Sequence, residues 1–438
     1  MNNHILVVGA GIVGLTAAYA LVKRGHQVTL VDNDEHPGGL LRSIPSEFGH
    51  FDYGTHVACH TGEPSLDAFL FDDLGIEMHT FDVGHSSSFY QKMSSVSPFL
   101  NINNASSLQH SDYAGSLLAV TDQDEPANLK EKYQQHYGSV IYEKVLSGVV
   151  KKYFGADASV LSAGCFPFFD LNRIIAFDAP TSSYLKQLPL YNDKLGFHGA
   201  SRGAMKCYPK SGGIGAWYQA LLHKAIDAGV SFIPGCSIKD VETKENRFCS
   251  VDTSHGRFNI DALFWAVPSP ILSRYVAVSQ SVSKPEYRPT ALYHFAFDKP
   301  LHSESYYINV PDPDMIAGRL TLYQNLCPDS TDSFKVTVEA LNGADFDFSA
   351  ATSKVLDELL KMGLIDEHHR CLYQTCQPIK QGFPVITAQT QQQMALFNDA
   401  ILKDYANLSL LGRGNCKGFF MADLLQKAYQ SANEVRGL

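Results

Sequence analysis

The sequence has few of the features that mark several large protein classes. Its nine cysteines are scattered from Cys59 to Cys416 without a Cys-x-x-Cys pair, so neither a disulfide framework nor a zinc ribbon is indicated. No segment reaches the roughly 18 consecutive apolar residues that a membrane-spanning helix needs. The N-terminus has neither the basic nor the apolar part of a secretory leader. We therefore expect a cytoplasmic protein without a transmembrane segment.

Blocks of like charge are also missing. The chain has 35 Lys and Arg against 45 Asp and Glu, a net charge of −10, and no basic run of the kind that binds nucleic acid. A nucleic-acid partner is therefore not expected. With 438 residues, 45% of them hydrophobic, the chain is long enough for two folded domains, and it shows no internal repeat.

The N-terminal segment has the pattern of a βαβ unit. A continuous apolar run, 5–8, ends at Gly9-Ala10-Gly11-Ile12-Val13-Gly14, and apolar residues then recur at helical spacing up to Gly25. A second apolar run, 28–31, is followed by Asp32. A Gly-x-Gly-x-x-Gly turn between a strand and a helix binds the pyrophosphate of a dinucleotide, and an acid after the second strand binds a ribose hydroxyl. A carboxylate at this place repels a 2′-phosphate, so NADP is disfavoured.

The next stretch gives the first resemblance to a known family. His36-Pro37-Gly38-Gly39-Leu40-Leu41-Arg42-Ser43 resembles the Gly-Gly and Arg segment of the flavoproteins that include amine oxidases, protoporphyrinogen oxidase, phytoene desaturase and UDP-galactopyranose mutase. In those proteins this segment closes over the FAD pyrophosphate and ribityl chain. A glycine pair lets the backbone pass close to phosphates, and arginine pairs with them bidentately.

Three later motifs extend the resemblance. Phe51-Asp52-Tyr53-Gly54-Thr55-His56 is similar to a Tyr-Gly-x-His stretch of the mutase branch, whose histidine lies near the flavin ring. The loop 208–214 and the short strand with Ile238 resemble segments of the FAD domain. Near the C-terminus, Gly412-Arg413-Gly414-Asn415 and the segment 419–423 resemble the closing Gly-Arg motif and the helix that points at the flavin.

The motifs predict a site for FAD and, less specifically, residues for a substrate. The predicted cofactor-binding residues are Gly9, Gly11, Ile12, Val13, Gly14, Asp32, Asn33, Gly38, Gly39, Leu40, Arg42, Tyr53, Gly54, Thr55, His56, Ile238, Gly412, Arg413, Met421 and Ala422. His56 is the candidate catalytic residue, and a packed structural histidine is the alternative. The candidate substrate residues are Arg202, Arg288, Arg319 and Tyr323. A metal site at His56 and His60 is not expected, because the flanking glycines oppose the helix that would align them.

The predicted fold is α/β, with a Rossmann-like FAD-binding domain and an interleaved α+β substrate-binding domain. We predict that residues 1–80, 205–265 and 380–438 form the FAD-binding domain and that 81–204 and 266–379 form the cap.

The predicted activity follows from the resemblance: an FAD-dependent oxidoreductase that takes a hydride at flavin N5 from a small or sugar-like substrate. The segment 290–297 has no lysine where amine oxidases usually have one, which speaks against a simple amine oxidase. The main alternative is a nucleotide-sugar mutase in which reduced FAD acts as the nucleophile. A third possibility is an FAD-dependent binding protein without catalysis. The oligomeric state is not predicted.

Overall fold

The computed structural model describes residues 3–104, 106–120, 125–199, 201–327, 334–413, 418 and 420–435, with the side chains of 82–84, 201–204 and 380–381 left out. The strands are β1 His4–Val8, β2 Gln27–Val31, β3 Ser43–Ser46, β4 Gly49–Asp52, β5 Ala58–Cys59, β6 Met78–Gly84, β7 Ser86–Tyr90, β8 Met93–Ser95, β9 Leu100–Asn101, β10 Ile174–Ile175, β11 Ser201–Pro209, β12 Ser231–Ile233, β13 Ile238–Lys244, β14 Arg247–Thr253, β15 Gly256–Asn259, β16 Ala262–Trp265, β17 Glu286–Phe297, β18 Tyr307–Asn309, β19 Ala317–Leu322, β20 Phe334–Leu341, β21 Cys371–Val385 and β22 Leu408–Leu410. The helices are α1 Ile12–Val22, α2 Pro64–Phe71, α3 Ser107–Leu118, α4 Leu129–Tyr137, α5 Ser139–Ile141, α6 Ser147–Phe154, α7 Ala179–Leu185, α8 Pro189–Asn192, α9 Gly213–Asp227, α10 Tyr323–Leu326, α11 Thr352–Lys361, α12 Ala388–Asp404 and α13 Met421–Ser431.

A parallel sheet carries the nucleotide-binding motif. Its strand order is β12-β2-β1-β16-β22, and every neighbouring pair is parallel. The central strands are buried on both faces, as is usual for parallel sheets. Helices α1, α9 and α13 pack on one side, and the three-stranded sheet β13-β14-β15 with α12 packs on the other. Since β22 comes from the C-terminal part, both ends of the chain contribute to this sheet, as the sequence predicted.

A seven-stranded sheet forms the second layer, in the order β21-β17-β20-β19-β18-β7-β8. Its two faces differ. One presents Ala291, Tyr293, Phe295, Val336 and Val338, which pack in a hydrophobic core with α11. The other presents polar side chains and faces the segment that follows β3.

Helices between residues 107 and 192 form a third core beside this sheet. The predicted fold class, a Rossmann-like domain with an interleaved mixed domain, is confirmed. The domain boundaries remain a prediction. Strand β21 crosses the boundary predicted between residues 379 and 380. Among the described residues, no helix is both long and apolar enough to cross a membrane.

Candidate functional site

The predicted nucleotide-binding residues meet at one edge of the parallel sheet. The last residues of β1, β2, β16 and β22 lie in register, with Val8 opposite Val31 and Trp265 and with Trp265 opposite Leu410. Because carboxyl ends of parallel strands share an edge, the turns after these strands come together there. The glycine-rich turn, Asp32 and Gly412 are therefore neighbours in space although they are far apart in sequence.

The three glycines of the turn have different roles. Gly9 has φ +100°, and a Cβ there would lie 2.8 Å from Val267 Cγ1. A Cβ on Gly14 would lie 1.9 Å from the Gly9 carbonyl oxygen, so this glycine is needed for the contact between turn and helix. A Cβ on Gly11, in contrast, would meet no protein atom within 4 Å. Gly11 therefore borders open space at the N-terminus of α1, where backbone N–H groups attract an anion.

Asp32 is fixed at this edge by two backbone donors. Its Oδ2 accepts a hydrogen bond from Ala10 N at 2.6 Å and its Oδ1 accepts one from Asp34 N at 2.9 Å. A carboxylate oxygen accepts more than one hydrogen bond, so both oxygens keep capacity for a ligand hydroxyl. The side chain is partly exposed, with the exposed Asn33 next to it.

The Gly-Gly segment runs beside the turn. Gly38 N donates to Ala10 O at 3.1 Å, and Gly11 and Gly38 form an isolated parallel bridge. Gly38 and Gly39 have φ of +117° and +59°, a conformation that glycine adopts without strain. The ideal Cβ of Gly39 has only the Gly11 Cα within 4 Å, at 3.9 Å. The open space beside Gly11 therefore extends along Gly39.

Arg42 is held across this segment. Its Nη1 lies 2.8 Å from Asp34 Oδ2, its Nε donates to Gly39 O at 2.9 Å, and its guanidinium stacks 5.0 Å from the centre of the Tyr53 ring. The glycine-lined space, the helix N-terminus and this arginine fit an extended dinucleotide such as FAD. Of the other predicted residues here, Leu40, next to Gly39, is exposed, and Ile12 and Val13, which follow Gly11, are partly buried.

A second cluster lies where the segment 53–56 meets the polar face of the seven-stranded sheet. Thr55 N donates to Glu339 Oε1 at 2.7 Å, and the hydroxyls of Thr55 and Thr321 are 2.6 Å apart. Arg319 donates to the same carboxylate through Nε and Nη2, at 3.0 Å each, a bidentate pair. An ideal Cβ on Gly54 would lie 3.1 Å from this carboxylate, so Gly54 permits the close approach.

Burial and charge together set the protonation of this cluster. Burial, the largest influence, would raise the pKa of Glu339, but the charge and hydrogen bonds of Arg319, the Thr55 N–H and His56 together lower it. Burial lowers the pKa of His56 to about 4; Glu339 opposes this shift, while Arg319 and Arg413 add to it. His56 is therefore neutral at pH 7. Its Nε2 lies 3.2 Å from Tyr53 O, so this nitrogen carries the proton and Nδ1 has a lone pair.

Asp170 joins the cluster from the segment between α6 and α7. Phe169 and Asp170 both have positive φ, 58° and 57°, which is costly for residues with a side chain. The Asp170 carboxylate accepts a hydrogen bond from Asn309 Nδ2 at 2.7 Å. Burial raises the pKa of Asp170, although Asn309 and Arg319 oppose the shift. We call His56, Asp170, Asn309, Arg319 and Glu339 the polar cluster.

The remaining predicted cofactor residues lie near the nucleotide-binding edge or the polar cluster. Burial lowers the pKa of Arg413, and Arg319 adds to the effect, so the two arginines are neighbours. Met421 and Ala422 begin α13, which packs against α1. Ile238 begins β13, and Cys236 N donates to Asp32 O at 2.7 Å, which keeps this strand close to Asp32. Gly414, Asn415, Phe419 and the Arg202 side chain lie outside the described residues.

Two of the predicted substrate residues do not fit that role: Arg288 lies at a separate cavity, and the Tyr323 hydroxyl is bound to other protein groups. Arg288 donates to Lys152 O at 3.2 Å and borders a separate cavity with Lys151 and Pro313. Tyr323 is buried, and its hydroxyl accepts from Asp52 N at 2.7 Å while lying 2.8 Å from Thr337 Oγ1. Arg319 is thus the predicted substrate residue that the structure places beside His56.

Sequence reasoning missed Glu339, Thr321, Asn309 and Asp170. A signal was present for Thr321 and Glu339, because Arg319-x-Thr321 and Lys335-x-Thr337-x-Glu339 alternate with apolar residues. This period of two places polar side chains on one face of a sheet. No comparable signal marks Asp170, whose position depends on the local backbone conformation.

Comparisons with known proteins agree with this geometry. A family model described as an NAD(P)-binding Rossmann-like domain matches residues 7–74. A 1-hydroxycarotenoid 3,4-desaturase from Flavobacterium sp. (strain P99-3) is 24% identical over 64% of this chain and 59% of the relative. A D-amino acid dehydrogenase from Sinorhizobium medicae (strain WSM419) is 26% identical over 62% of each chain. Protoporphyrinogen oxidase 2 from Arabidopsis thaliana is 28% identical over 37% of this chain and 34% of the relative.

Solved structures match over almost the whole chain. Reduced UDP-galactopyranose mutase has a TM-score of 0.79 at 17% identity, covering 99% of this chain and 94% of that one. A putrescine oxidase double mutant has a TM-score of 0.61 at 12% identity, covering 99% and 98%. At these identities the likeness is one of fold. The chain spans less than two thirds of the length of these curated relatives. The predicted resemblance to the group that includes protoporphyrinogen oxidase, amine oxidases and UDP-galactopyranose mutase is confirmed.

Proposed function

We propose that this chain is an FAD-dependent oxidoreductase that acts on a small polar or sugar-like substrate. The observation that carries the proposal is the continuity between two features: the glycine-lined space beside Gly11 and the polar cluster around His56. One feature suits a dinucleotide and the other suits a substrate, and the segment 38–56 connects them. Bound FAD would supply the two-electron acceptor that protein side chains lack.

The chain's own residues would hold the cofactor. The N-terminus of α1 and the backbone of Gly11 and Gly39 would meet the pyrophosphate, and Asp32 would accept from a ribose hydroxyl. The N-terminus of α13, at Met421 and Ala422, offers a second positive dipole end. We assign it to the isoalloxazine end by the resemblance described above.

The polar cluster would orient the substrate. Arg319 binds Glu339 with Nε and Nη2, which leaves Nη1 as a donor that this pair does not use. Asp170 and Asn309 add an acceptor and an amide beside it. His56, neutral at pH 7, would accept a proton or hydrogen bond at Nδ1. This set suits a substrate with hydroxyl groups or a carboxylate.

A nucleotide-sugar mutase is the second candidate. The observation that favours it is the set of hydroxyl and cationic groups beside the polar cluster, where Lys206 acts on the charge of Asp170. Lys206 Nζ donates to Tyr306 Oη at 2.5 Å, and Tyr307 lies opposite Thr321 on the strand next to Arg319. Cationic groups and phenol hydroxyls together suit a sugar that carries a diphosphate.

One anaerobic titration separates these candidates. The FAD-loaded protein is mixed in turn with D- and L-amino acids, amines and UDP-sugars while the visible flavin absorbance is followed. An oxidoreductase is bleached by its substrate without added reductant. A mutase is not bleached by any of them, but after reduction with dithionite it interconverts a UDP-sugar. A protein that does neither across these classes, while it retains FAD, contradicts both candidates.

A further inference from the structure

Two histidines and one aspartate meet on the cap, away from the residues used above. His302 lies in the loop after β17, and Asp366 and His369 lie in the loop before β21. The two loops are tied by a hydrogen bond from His302 N to Leu364 O of 2.8 Å. Phe297 and Cys371, at the ends of β17 and β21, are paired in the sheet. The sheet thus fixes the distance between the loops.

The three side chains present their ligating atoms to one another. His369 Nδ1 lies 2.7 Å from Asp366 Oδ1, and His302 Nε2 lies 3.7 Å from Asp366 Oδ2. One ligating atom from each residue lies within 4.8 Å of the other two. The His369 side chain is 2% exposed, whereas those of His302 and Asp366 are 53% and 44% exposed. A small ion can therefore enter from solvent and meet one anchored ligand.

The hydrogen bonds of His369 hold its ring beside Asp366. Its Nε2 lies 3.0 Å from Pro300 O, and because a carbonyl only accepts, Nε2 carries a proton. Its Nδ1 lies 2.7 Å from Asp366 Oδ1 and 3.1 Å from Asp366 N. Without a metal, a proton on Nδ1 donates to the carboxylate. A bound cation would take the place of that proton and use the Nδ1 lone pair.

We propose that His302, Asp366 and His369 form a binding site for Zn²⁺. Two imidazoles and a carboxylate are ligands that zinc prefers, and neighbouring ligands in a tetrahedral zinc site are about 3.3 Å apart, close to the 3.7 Å between His302 and Asp366. The hydrogen bond from His369 Nε2 to a backbone carbonyl is the usual outer contact of a metal-binding histidine. Bound zinc would join the two loops, and water would complete its coordination.

Other charged groups surround the site. Lys299 disfavours a cation, and Glu367, which pairs with His368 at 3.8 Å, favours one. Asp298 is engaged with Arg370. Protons compete for the same ligands, so zinc affinity falls as the pH is lowered.

The test is calorimetric titration of Zn²⁺ into the tag-free, FAD-loaded protein at pH 7.5. We expect one site per chain, at least a tenfold weaker affinity in His302→Ala and in Asp366→Asn, and unchanged affinity in His255→Ala, an exposed histidine outside the cluster. Zinc should also raise the Tm of the wild type and of His255→Ala but not of His302→Ala. The flavin spectrum and the zinc-free Tm show that each variant is folded.

Cysteines are the competing ligands, since eight of the described residues are free cysteines. Zinc held by thiols would bind equally well to the wild type, His302→Ala and Asp366→Asn. That result, or the absence of a one-to-one binding event in the wild type, overturns the proposal. Neither result bears on the proposed redox activity, because the site shares no residue with it.

Discussion

Gly11 separates cofactor binding from folding at the level of a single residue. Its φ is −70°, which any residue adopts, and its Cβ would meet no protein atom. We expect Gly11→Val to fold with a Tm close to that of the cofactor-free wild type and to lose FAD, because the added side chain occupies the space for the pyrophosphate. The FAD bound per chain after gel filtration measures the loss of the cofactor, and the Tm shows that the variant is folded.

The matched control is Gly115→Val. Gly115 lies in α3, also has open space at its Cβ, and is not at the site. This variant should retain FAD like the wild type. Stoichiometric FAD in Gly11→Val would contradict the assigned groove.

The pair of Arg319 and Glu339 supports a second prediction at this scale. Removing one member of a buried ion pair leaves the other charge without compensation, which costs about 3–5 kcal/mol for fully buried pairs. Because the Arg319 side chain is 31% exposed, we expect Glu339→Gln to lower the free energy of unfolding by roughly 2 kcal/mol. Urea unfolding of the cofactor-free protein measures the change.

Glu77→Gln is the control for that variant. Glu77 is 83% exposed and 3.6 Å from Lys210, so this change should cost about 0–1 kcal/mol. Equal effects of the two substitutions would show that the cluster is not stabilised as described.

At the scale of elements, the contact between α1 and the turn before it depends on Gly14. A Cβ there would lie 1.9 Å from the Gly9 carbonyl oxygen, so the helix must move. We expect Gly14→Ala to lower the free energy of unfolding by about 3 kcal/mol, the upper part of the range for overpacking, and to weaken FAD binding. Gly115→Ala, in the open helix α3, should instead stabilise by about 0.5–1 kcal/mol. Urea unfolding decides the sign of each change.

The elements show how far sequence reasoning reaches. The unit β1-α1-β2 was predictable because apolar runs, glycines and Asp32 all agree on one local structure. The strand β22 was also predictable, since an apolar run before Gly412 fits a buried parallel strand. The approach of Thr55 to Glu339 was not, because it joins a loop residue to a strand residue 284 positions away. Arg288 and Arg319 look equivalent in the sequence. The structure separates them, because Arg288 packs against Gly155 and Lys152 whereas Arg319 pairs with Glu339.

For the whole molecule, buried neutral histidines determine acid stability. Burial lowers the pKa of His56, His136 and His294 to about 4 in each case. The unfolded chain, with histidine pKa values near 6.5, binds more protons than the native state between pH 4 and 6.5. Stability is therefore present above pH 6.5 and is lost as the pH falls toward 4.

Asp52 changes the pH dependence of stability in the opposite direction to the three histidines. Burial raises its pKa to about 6 against donors from Ser43, Tyr208 and Ile214, so its contribution decreases as the pH rises from 3.8 to 6. Asp170, whose pKa is also raised, acts like Asp52, whereas Glu339, whose pKa is lowered, acts like the histidines. Because the three histidines have the large shifts, we expect a net loss of several kcal/mol between pH 6.5 and 4, and a smaller loss in His294→Gln. Urea unfolding across this range tests the prediction, and stability that rises on acidification would contradict it.

The central claim is that the groove beside Gly11 binds FAD, and the most direct test is the visible spectrum of the purified protein together with that of Gly11→Val. We predict a yellow wild type with one FAD per chain, either as purified or after reconstitution, and a colourless but folded Gly11→Val. A folded wild type that takes up no FAD, or a variant that binds it as well as the wild type does, would contradict the account.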